Sequence, residues 1–576
     1  MATTRRLTLI AQDPSVLDAD GGILRATVDI PYEQLGPGPR GARVHVVDYD
    51  ASQRVLYAPY TPGDDGDPYL QATDATLLGD PGFHAQNVYA IVMRLLGRFE
   101  MALGRRVSWG FGGHQLHVAP HAFAEPNAYY SEDAHGLFFG YFAGADGKPV
   151  FTCLSHDVVA HETTHALLDG LRNTYTVPSH PDQAGLHEGF SDTVALLSVF
   201  GLPDIVRQLL RGLGPSDGRL DVAKLTAASL RKTVLFGLAE QFGKEASRHR
   251  DDALRRAVAR PPRPGAQREP AFEECHLRGE ILSAAVLNSF IQIWTARLAT
   301  WLPKHGRLVL AGRVVEDAVD AADHLLTMCI RSLDYCPVVD ITFGDFLSAM
   351  LTADFELVPN DTKYEYRKRL RKQFDTWGIA PASPTVNGCW EPPDVDGPIR
   401  YEGVHRESLE RDRDEVFRFL WANRDPLKVY EDAYTRVISV RPCVRVGPDG
   451  FVLRETVSEY HQVMEVDARH LPGVAGGMTK PAGMPDDTPI RLHGGGVLTF
   501  DEFGHLKYHV RSRIDNAERQ NERLAYLWRH RIHDAGGRYG STYGVPRGQQ
   551  FAVMHARRDG KKDIPDEWPD ATEGGR

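Results

Sequence analysis

Asp157-Val-Val-Ala-His-Glu-Thr-Thr-His-Ala-Leu-Leu-Asp-Gly-Leu171, followed at a distance by His187-Glu-Gly-Phe-Ser-Asp192, is the stretch on which the reading of this chain turns. On a helix, His161 and His165 stand four positions apart and project from one face, where two imidazoles can grip one metal ion. Glu162 lies one step around the helix, where a carboxylate can take the proton of a water held by that metal. Val158, Val159, Leu167, Leu168 and Leu171 predict a buried helix that keeps this geometry rigid. Glu188 and Asp192 are again four apart, so one following helix offers a third ligand and a supporting carboxylate. Two histidines and a glutamate leave a tetrahedral zinc site with its fourth position open, the arrangement of a catalytic site and not a structural one. In a chain with 24 histidines a lone His-Glu-x-x-His can arise by chance, and the second stretch is what separates this one from an accident.

The rest of the composition sets bounds. The 576 residues suffice for several domains and a large core, and a quarter of them are charged. A formal net charge of -11 argues against a general binder of nucleic acid or of anionic membranes. The apolar stretch near Met1 is too short for a signal-peptide core, and no run of eighteen apolar residues appears, so neither export by a signal nor a membrane span is expected. Cys153, Cys275, Cys329, Cys336, Cys389 and Cys443 are scattered, with no C-x-x-C pair, which points to a reducing, cytoplasmic home.

Taken in order, the patterning predicts an α+β chain. Leu24–Ile30 and Arg43–Asp48 alternate as strands of an N-terminal sheet, and residues 85–105 carry apolar side chains at helical spacing. Glu125–Tyr130 and Leu137–Phe142 read as a hairpin just before the metal helix, whose backbone and one amide side chain can pair with an extended peptide. From residue 190 to 377 the pattern is mostly helical, interrupted by Arg248–Pro270, a polar, proline-broken loop. The expected organisation is a strand-rich lobe over 1–157, the zinc helix and a helical lobe over 158–379, and a Pro-rich linker over 380–400. An α+β region of unknown role follows over 401–536, and a polar tail over 537–576 is read as disordered. No chemistry is legible in this C-terminal third, whose His and Asp residues are expected at the surface.

With these motifs placed, residues Asn127 to Asn288 resemble the thermolysin-like metallopeptidases, the gluzincin class with His-Glu-x-x-His and a downstream Glu-x-x-x-Asp. The resemblance implies a two-lobed peptidase fold, His161, His165 and Glu188 as zinc ligands, Glu162 as catalytic base and Asp192 as the carboxylate orienting His161. Asn127-Ala-Tyr-Tyr130 looks like the family's edge-strand motif, which makes Asn127 and Ala128 binders of substrate backbone. Glu274-Cys-His-Leu-Arg-Gly-Glu-Ile-Leu-Ser-Ala-Ala285 is similar to the segment carrying the histidine that hydrogen-bonds the tetrahedral intermediate, here His276. By like position, Tyr175 corresponds to the oxyanion tyrosine, and Arg255, with Arg256 as the neighbouring choice, to the arginine on a substrate carbonyl. Asp157 matches an acidic calcium position, but Phe200-Gly-Leu-Pro-Asp-Ile205 replaces the acidic loop that would follow. Zinc is therefore the expected cofactor, calcium is left open, and Asp157 reads as a carboxylate at the positive end of its helix.

The function this implies is zinc-dependent endopeptidase hydrolysis of a peptide or protein, with Glu162 as general base. Two alternatives stand beside it: a zinc aminopeptidase, although the Gly-x-Met-Glu-Asn segment that would hold a substrate amine is missing, and a zinc-containing binding or scaffold protein without turnover. Oligomeric state and substrate identity are not specified by the sequence.

Overall fold

A computed structural model of the chain describes residues 3–18, 20–63, 66–144, 147–177, 179–211, 218–221, 224–231, 261–301, 308–393, 398–530, 551–552 and 554–555. The architecture is mixed α+β, with helix the larger share. Thr4–Ile10 pairs antiparallel with Arg25–Pro31, Leu7 opposite Val28; the second strand buries Ala26, Val28 and Ile30 at alternate positions, while Leu7 to Ile10 of the first are all buried. These two strands form a sheet of their own, and the expected single N-terminal sheet is divided. Val44–Val46 belongs instead to a five-stranded sheet, where it runs parallel to Leu116–Phe123, which runs parallel to Gly136–Ala143. Ala128–Ser131 pairs antiparallel with Gly136–Ala143, Ala128 opposite Phe139, and ends the sheet order as an edge strand. The predicted hairpin is therefore present.

A helix over Pro81–Leu103 crosses behind the strands. Asp80 caps it by accepting from the Gly82 amide at 2.8 Å, Pro81 stands in its first turn, and Gly104 ends it at φ 68°. The motif helix spans His156–Leu171 and the Glu188 helix Pro181–Phe200. Farther along, Cys275–Ala299, Ala311–Ser332 and Phe343–Phe355 complete the helical part. The first of these is the one helix among the described residues that is long and apolar enough to cross a membrane, and it is mostly buried, its apolar surface packed in the core. The main core is a cluster that runs from Leu7 to Ile379 and also takes in Tyr508, Tyr526, Leu527, Phe551 and Met554.

Two backbone approaches bring the Glu188 helix against the helix Cys275–Ala299. A Cβ on Gly189 would stand 2.4 Å from the carbonyl oxygen of Gly279, and one on Gly279 would stand 2.9 Å from the Cβ of Glu188. Only glycine at both positions lets the Glu188 helix and the helix Cys275–Ala299 touch backbone to backbone, which brings His276 beside Glu188.

The stretch read as a linker does not hang free. The Trp390 indole donates to the Tyr335 carbonyl at 2.9 Å, and the Ser383 amide donates to the Ser348 hydroxyl at 3.1 Å. Beyond it, Tyr434–Val446, Val452–Asp467, Pro489–Asp501 and Leu506–Ser512 form a four-stranded antiparallel meander, followed by a helix over Ala517–Arg529. Before the meander stand two short helices, Arg406–Leu409 and Arg413–Ala422, divided where Asp412 caps the second. The meander is tied to the front of the molecule by buried ions. Asp334 accepts from Arg105 at 2.5 and 2.6 Å and from Arg445, which also donates to Glu455 at 2.6 Å. Arg172 pairs with Glu459. Of the tail, Phe551 and Met554 are buried in the main core, which corrects the expectation of disorder for those residues.

Candidate metal centre

The motif helix starts at Ser155, and its fourfold spacing sets the rings of His161 and His165 edge to face with centroids 4.6 Å apart. The Glu188 helix lies across them. Oε2 of Glu188 is 3.4 Å from Nε2 of His161, and Oε1 is 3.6 Å from Nε2 of His165. A fourth group, which sequence patterning had assigned to the surface, joins them: His555 places Nε2 3.9 Å from Oε2 of Glu188. The candidate ligand atoms of His161, His165, Glu188 and His555 all lie within 4.8 Å of one another. Tetrahedral ligands at about 2.0–2.1 Å from a zinc ion stand roughly 3.3–3.4 Å apart, so the two contacts of Glu188 with the motif histidines are already near that spacing.

Each ring is held by its other nitrogen. Nδ1 of His161 is 2.9 Å from Oδ1 of Asp192, which as a carboxylate can only accept, so the proton sits on Nδ1 and the lone pair on Nε2. The Ser191 hydroxyl donates to the His187 carbonyl at 2.8 Å and so can accept from Nδ1 of His165, 3.2 Å away. His187, the residue before the ligand, packs its own Nδ1 3.1 Å from that of His165, and burial lowers it to about 4.

What remains are buried polar atoms that make no hydrogen bond. Nε2 of His165, both carboxylate oxygens of Glu188, Nε2 of His276 and Nε2 of His555 have no hydrogen-bond partner among the described residues. His165 is 0 % exposed and Glu188 1 %, so water does not compensate them. Orphaned donors and acceptors of this kind each carry a desolvation cost, and a cation among them removes it. Electrostatics agree in direction. Burial opposes ionisation of Glu188, but the nearby histidines, His276 foremost, hold its carboxyl well below the usual range. Burial also works against charge on His161, but Asp192 and Glu188 raise it well above its usual value, so without a metal the ring takes a second proton on Nε2, the place a metal would occupy. These buried groups could hold a metal ion. Neither protein-family models nor curated proteins match this sequence.

The other predicted residues divide. Glu162 is buried beside the cluster, its Oε2 accepting from the Tyr130 amide at 3.1 Å. Asn127 and Ala128 sit at the same edge, where the Ala128 carbonyl faces the site and accepts from His555 at 2.8 Å. His276 reaches the group, with Nε2 3.3 Å from Glu188 and Nδ1 2.7 Å from Glu274. Tyr175 is not brought there: its hydroxyl donates to the Pro337 carbonyl at 2.6 Å, because the turn after the motif helix carries the ring against the Cys336–Pro337 segment. Arg255 and Arg256 lie outside the described residues. Asp157 is buried in the first turn of its helix, sharing the Ser155 hydroxyl with Asp13.

A second group of possible ligands, His84, His121 and Cys153, is a different case. Nδ1 of His84 meets Nε2 of His121 at 2.8 Å, and the remaining nitrogens reach the Leu78 carbonyl and Asp48. Every ring nitrogen there has a partner, and the chain of bonds stitches helix to sheet.

Proposed function

We propose that the chain is a zinc-dependent endopeptidase of the thermolysin-like kind, binding an extended peptide along Ala128–Ser131. The observation that carries this reading is the convergence of unpartnered, buried ligand atoms of His165 and Glu188, with His161 beside them, next to the Glu162 carboxylate. Two imidazoles and one carboxylate suit zinc, which would supply Lewis-acid polarisation of a carbonyl and acidify water at neutral pH.

The remaining work falls to side chains. Asp192 and Ser191 fix which nitrogen each motif histidine presents. Glu162, anchored by the Tyr130 amide, takes a proton from the attacking water and passes it to the leaving amine. His276, anchored through Nδ1 by Glu274, presents Nε2 to the same space and hydrogen-bonds the oxygen that gains charge. The edge carbonyl of Ala128 and the amide of Asn127 offer strand-type pairing to substrate backbone. Tyr175 has no part in this scheme.

The test is Glu162→Gln, assayed against a peptide library with metal content measured on the same samples, in both the wild-type and the His555→Ala backgrounds. Metal should stay near one equivalent while hydrolysis falls by about 10²–10⁴-fold. Peptides with blocked and free amino termini should be cut alike. An unchanged rate removes Glu162 from the role of base, a requirement for a free amine favours the aminopeptidase, and metal without cleavage of any peptide favours the non-catalytic alternative.

A further inference from the structure

The C-terminal residues bring to this site a contact set that the peptidase reading does not use. Phe551, Ala552, Met554 and His555 are helical, and all but Ala552 are buried. The Phe551 ring stacks on His165, centroids 4.2 Å apart and planes at 25°, and lies 5.9 Å from the ring of Tyr130. The Asn127 amide donates to the Ala552 carbonyl at 3.3 Å. Nδ1 of His555 lies 2.8 Å from the Ala128 carbonyl, and a carbonyl only accepts, so Nδ1 carries the hydrogen. Nε2 is left with its lone pair, buried, without a hydrogen-bond partner among the described residues, and facing Glu188.

We propose that His555 is a fourth protein ligand of the metal, delivered by the C-terminal segment, and that the segment thereby closes the site. The arrangement around His555 is that of a ligating histidine, one nitrogen fixed by a carbonyl and the other free to coordinate. It is the same arrangement that Asp192 imposes on His161. Four protein ligands make a closed zinc site, and three leave a position open. The segment also takes the two groups, Asn127 and Ala128, that an extended peptide would pair with, and it lays an aromatic ring over His165. One stretch of chain thus fills both the coordination position and the strand edge, so the intact protein is latent until the segment is displaced. The ligand assignment stands on this geometry; only the consequence for turnover rests on the peptidase reading.

The experiment uses the full chain loaded with cobalt(II) in place of zinc, in the wild type, in His555→Ala and in Phe551→Ala, with acetohydroxamate as a small chelating probe of an open position. The wild-type visible spectrum should be that of a four-ligand site and should not respond to the probe. His555→Ala should show a changed spectrum that responds to it, zinc binding at least tenfold weaker, and peptide hydrolysis at least tenfold faster. Phe551→Ala, which keeps the imidazole but removes the stacked ring, should move hydrolysis and probe response the same way by a smaller amount. Identical wild-type and His555→Ala spectra, both responding to the probe, would overturn the proposal even if both proteins cut peptides. Spectra that differ as expected with no cleavage by either would uphold the ligand and overturn the peptidase reading instead.

Discussion

Asp192 shows how much a single side chain does at this centre. It touches no proposed substrate, yet through one 2.9 Å hydrogen bond it decides which nitrogen His161 offers. Asp192→Ala should weaken metal binding by about 10–100-fold while leaving the fold intact, measured by competition with a chelator of known affinity. Unchanged affinity would mean that His161 is oriented by something else. The sequence made this residue legible because helical spacing alone places Asp192 one turn beyond Glu188. Tyr175 was not legible in the same way. Its position relative to the motif depends on the path of a short turn, and that turn aims the hydroxyl at Pro337. His555 was the hardest case, since nothing periodic surrounds it and its partners are about four hundred positions away, as with Ala128.

At the scale of elements, the motif helix is anchored at its start by an unusual carboxyl pair. Asp157 and Asp13 share the Ser155 hydroxyl, and burial, with Asp13 adding to it, raises Asp157 to about 6. The folded protein therefore keeps a proton there that the unfolded chain releases near pH 4. This contribution to stability is full below about pH 4 and is lost as the pH rises through about 6. Asp157→Asn should flatten that part of the stability profile, read from denaturant unfolding at a series of pH values, and a slope that persists would assign it to another group. Helices and the hairpin were legible from periodicity, whereas the start of Phe343–Phe355 is set by a reciprocal cap between Thr342 and Asp345. Sheet partnership was not, because alternation along Val44–Val46 says that it is a strand and not that it runs parallel to Leu116–Phe123. Nor did the pattern reveal that Gly189 and Gly279 are where two helices meet backbone to backbone, since the need for glycine lies in the neighbour and not in the local sequence.

The whole molecule holds together through buried charge as well as apolar packing. Asp334 joins Arg105 in the front half to Arg445 in the C-terminal meander, and all three side chains are almost fully buried. Asp334→Ala leaves two guanidinium groups without this shared partner and should cost about 3–5 kcal/mol, seen as a lower midpoint for one cooperative unfolding transition. Two separate transitions, or none shifted, would mean that the halves do not depend on this junction. The composition could not show this dependence, because Pro-rich sequence reads as a tether whether it hangs free or, as at Trp390, is pinned to the core. In the proposed centre, Glu162 moves the proton of a hydrolytic water beside the metal. The most direct test is peptide cleavage by metal-loaded His555→Ala compared with the same chain also carrying Glu162→Gln, at matched metal content. Cleavage is expected from the first and a loss of about 10²–10⁴-fold in the second with metal retained; equal cleavage by both, or none by either, would contradict the assignment of Glu162 as the base.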